Sequence, residues 1–113
     1  MPRLPWLCVL GLFLGSGVVT PARGENWPQF RGPTGTGHSE SKGLPLHWSA
    51  TKNVRWKQGI PGGGWSSPIY ADGRIYLTTA VPTQGDEAKD RSLRALCLEA
   101  GTGETVWDTE VFQ

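Results

Sequence analysis

Ser66-Ser67-Pro68-Ile69-Tyr70-Ala71-Asp72-Gly73-Arg74-Ile75-Tyr76-Leu77-Thr78-Thr79 is the stretch on which the fold turns. Ile69, Tyr70, Ile75, Tyr76 and Leu77 are β-branched, aromatic or bulky apolar residues, the types that suit a pleated, half-buried surface. Asp72-Gly73 sits between the two runs. A two-residue hairpin loop needs positive φ angles, which Asp tolerates and Gly adopts without steric cost. The stretch therefore predicts an antiparallel hairpin closed by Asp72 and Gly73.

Working outward, the pattern stays β. Upstream, Asn53-Val54-Arg55-Trp56-Lys57-Gln58 alternates apolar and polar side chains with period two, which predicts a short strand with Val54 and Trp56 on one face. Pro61-Gly62-Gly63-Gly64 ends it. Downstream, Gly85-Asp86-Glu87-Ala88-Lys89-Asp90-Arg91 is dense in charge and reads as a solvated loop. Ser92-Leu93-Arg94-Ala95-Leu96-Cys97-Leu98 carries apolar residues on both faces, as a strand covered from both sides does. Glu99 to Gly103 is a turn, and Glu104 to Asp108 a last strand. Nothing after residue 24 has the period of a long amphipathic helix. The expected class is all-β: a four-stranded antiparallel meander preceded by one further strand.

The first 24 residues read differently. Arg3 gives a positive start, and Leu7 to Val19 is an apolar run of 13 residues. That is within the ~7–15 of a secretory signal core and short of the ~20 needed to span a bilayer. Ala22 and Gly24 supply small residues for cleavage before Glu25. Residues 1-24 are expected to be a removable signal, leaving no membrane span and an exported chain, periplasmic or extracellular. Cys8 would leave with it, so Cys97 would have no partner for an internal disulfide and is expected to be a small buried apolar residue.

Residues 25-52 are an irregular Gly/Pro-rich arm, with Trp27 and Phe30 as expected anchors. Setting aside Arg3 and Arg23 leaves nine basic and ten acidic side chains. This balance, without a basic stripe, excludes a nucleic-acid partner as the default.

Candidate chemistry is thin. Gly32, Gly35 and Gly37 lack the spacing and the following Lys-Ser/Thr of a phosphate loop. Asp86, Glu87 and Asp90 lack the regular oxygen ligands of a calcium loop. His38 and His47 have no third ligand. Ser66 and Ser67 lack the turn that exposes a nucleophilic serine. No catalytic, cofactor-binding or metal-binding residue is expected in this segment.

Cys97-Leu98-Glu99-Ala100-Gly101-Thr102-Gly103-Glu104-Thr105-Val106-Trp107 resembles the docking motif of pyrroloquinoline-quinone-type β-propeller repeats, Ala-x-Asp-x-x-Thr-Gly-x-x-x-Trp. Thr102, Gly103 and Trp107 match at the family spacing, while Glu99 stands for the family Asp and Cys97 for its Ala. Ser67-Pro68 followed by Asp72-Gly73 looks like the first two strands of such a blade. Val54-Arg55-Trp56-Lys57 resembles the outermost strand that closes the ring. Asn26-Trp27-Pro28-Gln29-Phe30-Arg31-Gly32-Pro33 looks like the opening of exported bacterial propeller proteins of this kind.

The resemblance implies that residues 53-113 begin a β-propeller and contain about one blade plus a closing strand. Glu99, Thr102, Gly103 and Trp107 would be structural docking residues. Propellers have typically 4–8 blades, and a repeat that buries its faces only against neighbours needs several copies. The expectation is therefore a fragment of a longer protein, whose partners are the missing blades of the same chain or other proteins. The implied function is a binding or scaffolding module without visible catalysis. The first alternative is the N-terminal part of a quinoprotein dehydrogenase, using pyrroloquinoline quinone and calcium. The second is an outer-membrane assembly propeller.

Overall fold

The computed structural model describes residues 24–83 and 90–113. The expected signal and most of the charged loop before Arg91 lie outside the described residues. Among the described residues no helix is long and apolar enough to cross a membrane.

Four strands form one sheet: β1 (Ile69–Ala71), β2 (Arg74–Pro82), β3 (Arg91–Glu99) and β4 (Thr105–Phe112). Each pairs antiparallel with its neighbour in chain order, so the sheet is a meander. The all-β reading and its four meander strands are as the sequence predicts. Ala71 lies opposite Arg74 across a two-residue loop. Asp72 and Gly73 hold φ of 48° and 84°. Both central residues are left-handed, the geometry whose twist matches that of the flanking strands.

The long β2–β3 ladder runs from Arg74 opposite Glu99 to Pro82 opposite Arg91. As the second interior strand, β3 contributes the buried apolar core, Leu96, Cys97 and Leu98. Leu96 and Leu98 point to one face and Cys97 to the other, because side chains alternate along a strand. The expectation that this strand is apolar on both faces holds, and the free Cys97 is buried.

The segment 61–66 continues β1 beyond its own end. Gly63 and Ala80 exchange two backbone hydrogen bonds, of 3.0 and 2.8 Å. The Ser66 hydroxyl stands in for a strand residue: it accepts from the Thr78 amide at 3.1 Å and donates to the Thr78 carbonyl at 3.2 Å. The glycine run makes this crossing possible, since a Cβ on Gly62 would lie 2.3 Å from the Ala80 carbonyl oxygen.

Two expectations for the chain before the sheet fail, one in the 53–58 segment and one in the arm. Asn53–Gln58 is not a strand: the only bridge near it is Ser49 with Lys52, and Val54 is exposed. With no neighbouring strand in reach, its alternation has no ladder to join. Trp56 is nonetheless held, by a different contact described below. Phe30 does not anchor the arm. It is 71 % exposed, with the Arg31 guanidinium 5.7 Å from its ring centre. Trp27 is the anchor, half-buried and bridged to β1 at Tyr70.

Candidate functional site

The two hairpin turns lie at the same end of the sheet and touch: the Ala100 amide donates to the Gly73 carbonyl at 2.9 Å. This brings five of the six residues singled out from sequence into one cluster, namely Asp72, Gly73, Glu99, Thr102 and Gly103. The β3–β4 turn is closed by Glu99 N–H to the Glu104 carbonyl at 2.8 Å and Gly103 N–H to the Glu99 carbonyl at 2.7 Å. The Thr102 hydroxyl accepts from the Glu104 amide at 3.2 Å. Short hydroxyl side chains favour such local bonds in turns. Glu99 reaches Arg74 at 3.8 Å across a solvated surface, a pair of the kind worth ~0–1 kcal/mol.

Trp56 closes this cluster from outside the sheet. Its indole N–H donates to the Ala100 carbonyl at 2.9 Å. Its ring lies flush on Gly103, where a Cβ would sit 2.5 Å from the ring. Gly103 has φ of 80°, so Gly is required twice, for backbone conformation and for contact. The sequence placed Trp56 on a strand and missed this seat. The sequence offers one pointer to it, a second tryptophan, Trp107, 51 positions later.

Trp107, the sixth residue, is not in the cluster. It lies opposite Cys97 in β4. Its ring centre is 6.1 Å from that of Tyr76, with the planes tilted by 49°, and the residue is 42 % exposed. The ladder partners place Leu93, Ala95, Trp107 and Phe112 on the same face as Tyr76. Leu93, Trp107 and Phe112 are all exposed there. The opposite face of the same strands is polar toward its end. There Arg94 Nε donates to the Asp108 carboxylate at 2.7 Å and the Ser92 hydroxyl to Glu110.

A groove of about 640 Å³ lies at the far end, lined by Gly64, Trp65, Ala80, Leu93, Val111 and Phe112 among others. Trp65 is fully exposed, being carried out of the sheet where Ser66 interrupts the backbone ladder.

Among the described residues no three His, Cys, Asp or Glu side chains stand close enough to hold a metal ion. His38 and His47 are exposed on the arm. Comparison with known protein families, curated proteins and solved structures finds no match.

Proposed function

We propose that this chain supplies a blade-like unit of an exported β-propeller of the pyrroloquinoline-quinone repeat type, acting as a binding or scaffolding module. The observation that carries the reading is the seating of Trp56. A tryptophan from the segment preceding the sheet packs on the Thr102-Gly103 turn and bonds the Ala100 carbonyl. Fifty-one positions later, Trp107 presents the same ring on an uncovered face. Repeats that bury apolar faces against neighbours use one such side chain per unit.

Exposed apolar area supports the same reading. Trp107, Leu93 and Phe112 share one face, and exposed large apolar side chains grouped on one sheet face mark a surface that another protein element covers. The covering element in this reading is the next sheet of the same module. Binding at this face is the function proposed.

The test is the intact mass of the native protein recovered from the exported fraction. The expected result is a species that begins at Glu25 and is several times heavier than residues 25–113. A species that keeps residues 1–24, or one whose mass equals residues 25–113 and which stays monomeric in solution, overturns the proposal.

A further inference from the structure

The near-neutral charge of the chain hides a segregation of sign. Residues 41–71 hold four cations, Lys42, Lys52, Arg55 and Lys57, and no acidic side chain. Residues 72–113 hold eight acidic side chains against four basic ones. All four cations of the first stretch are exposed. Among the described residues the ion pairs are Arg74 with Glu99 and Arg94 with Asp108, both within the sheet. The described acids of the sheet therefore do not neutralise Lys42, Lys52, Arg55 or Lys57.

The same stretch exposes large apolar side chains. Leu44, Leu46 and Trp48 alternate with Pro45 and His47, and they are 63 %, 87 % and 69 % exposed. The chain then doubles back. Ser49 and Lys52 exchange backbone hydrogen bonds of 3.0 and 3.2 Å around Ala50 and Thr51. The Asn53 side-chain amide donates to the His47 carbonyl at 2.6 Å. Gly43 and Pro45 line one concavity together with Asn53, Val54 and Arg55, so the two limbs lie side by side. At the base, Trp56 is fixed to the Ala100 carbonyl. Residues 43–55 are thus a finger tied down at its base, with its apolar and cationic side chains in solvent.

The charge sets the chemistry of what this finger meets. Cations without a single acid attract an anionic partner, and a sign asymmetry between two parts of a chain points to a nucleic acid or a membrane surface. The apolar residues decide between the two. Leu44 and Leu46 are aliphatic and gain by burial among acyl chains. Single-stranded nucleic acid is held by bases stacked on aromatic side chains, and Trp48 is the one Trp, Tyr or Phe in the finger. Tryptophan suits the boundary between hydrocarbon and water. Lys and Arg lay their stems along apolar surface and keep their charged heads at its polar rim.

We propose that residues 42–57 dock this protein on the surface of an anionic lipid bilayer. Leu44, Leu46 and Trp48 enter the headgroup boundary, while Lys42, Lys52, Arg55 and Lys57 meet the lipid phosphates. The net-negative sheet is repelled by the same surface and turns away from it, so the segregation of charge also orients the molecule. The contact lies on the bilayer and spans nothing. It goes beyond the propeller reading and does not rest on it. The attraction reaches about one Debye length, ~8 Å at physiological ionic strength, so salt weakens it.

The experiment is cosedimentation of the full chain with vesicles of equal parts phosphatidylglycerol and phosphatidylcholine, and with vesicles of phosphatidylcholine alone. The neutral vesicles report whatever the apolar run from Leu7 to Val19 contributes, so the readout is the ratio of the two affinities. The expected ratio is well above one and falls as salt is raised. Lys52→Gln is expected to lower it about fivefold, the share of one cation held near an anionic surface. Arg91→Gln changes the net charge equally from within the sheet and is expected to keep the parental ratio. The double variant Leu46→Ser with Trp48→Ser is expected to weaken binding to the anionic vesicles about tenfold. These side chains are exposed, so every variant is expected to keep the parental urea midpoint. A parental ratio near one, or equal losses from Lys52→Gln and Arg91→Gln, overturns the finger as the docking site. Parental affinity in the double variant overturns the bilayer as occupant in favour of a water-soluble polyanion.

Discussion

Gly103→Ala tests the Trp56 seat most directly. Three costs add. The backbone at Gly103 has φ of 80°, and holding a residue with a Cβ there costs of order 1 kcal/mol. The new methyl would stand 2.5 to 3.0 Å from three atoms of the Trp56 ring, closer than carbon atoms pack, so the ring must leave. Its departure gives up the 2.9 Å hydrogen bond to the Ala100 carbonyl, worth ~1 kcal/mol, and part of the burial of a large aromatic ring, worth a further ~1–2 kcal/mol for partial exposure. The expected loss is about 3–4 kcal/mol, read as a shift of the urea midpoint at constant slope. The assay is a double-mutant cycle with Trp56→Ala. In that background the clash, the indole bond and the ring burial are already gone, so Gly103→Ala is expected to cost only the backbone strain, about 1 kcal/mol. The coupling is therefore about 2–3 kcal/mol, well above the ~0.5 kcal/mol scatter for independent sites. A Gly103→Ala cost that is the same with and without Trp56 refutes the seat.

Leu96→Ala removes a side chain that is only 1 % exposed at the centre of β3 and is expected to destabilise by ~2–4 kcal/mol in the same urea titration. Ser66→Ala strips both partners from the backbone of Thr78; a loss of about 1 kcal/mol and faster exchange of the Thr78 amide are expected, and unchanged exchange there contradicts the stand-in role. Trp65→Ser replaces a fully exposed ring and is expected to leave stability within ~0.5 kcal/mol while removing the most red-shifted part of the tryptophan emission. Arg94→Ala breaks the Asp108 pair, whose side chains are each 28 % exposed; a loss of no more than about 1 kcal/mol that shrinks in high salt is expected.

The hairpin and the order of the four strands were legible because local chemistry dictates them. Asp72-Gly73 needs no distant contact to turn, and the apolar run at 93–98 marks an interior strand wherever its neighbours lie. Trp56 was misplaced because alternation over six residues reports only a two-sided environment. Whether a ladder partner is in reach is a tertiary fact, and here the ring finds a turn instead. The contacts of Asn26 with Asp72 and of Trp27 with Tyr70 were illegible for a related reason: they join positions 46 and 43 apart, and no local pattern announces a side chain that mimics a strand residue. Of the six residues drawn from the hairpin and the docking motif, the four at turns and Glu99 at the end of β3 cluster. Trp107 stands apart because it lies within β4, opposite Cys97 and away from the turns.

The open edge of β4 sharpens where a partner must approach. The register shifts leave Val106 and Val111 without opposite residues in β3, so regular edge remains only from Trp107 to Glu110. Bulges of this kind twist an edge away from flat pairing. Antiparallel pairing with a copy about a two-fold axis normal to the sheet keeps each residue on its own face, so residues separated by an even number of positions meet. Centred on Asp108, that sets Asp108 against itself. Centred on Thr109, it sets Asp108 against Glu110; centred on Glu110, Glu110 against itself. Like charges directly opposite are destabilising, so each register confined to this short stretch carries a penalty except the one centred on Trp107, which lies against the Val106 bulge. The edge is thus guarded while the face bearing Leu93, Trp107 and Phe112 is not. An element that covers this sheet meets the face, and in the propeller reading that is where a neighbouring blade packs.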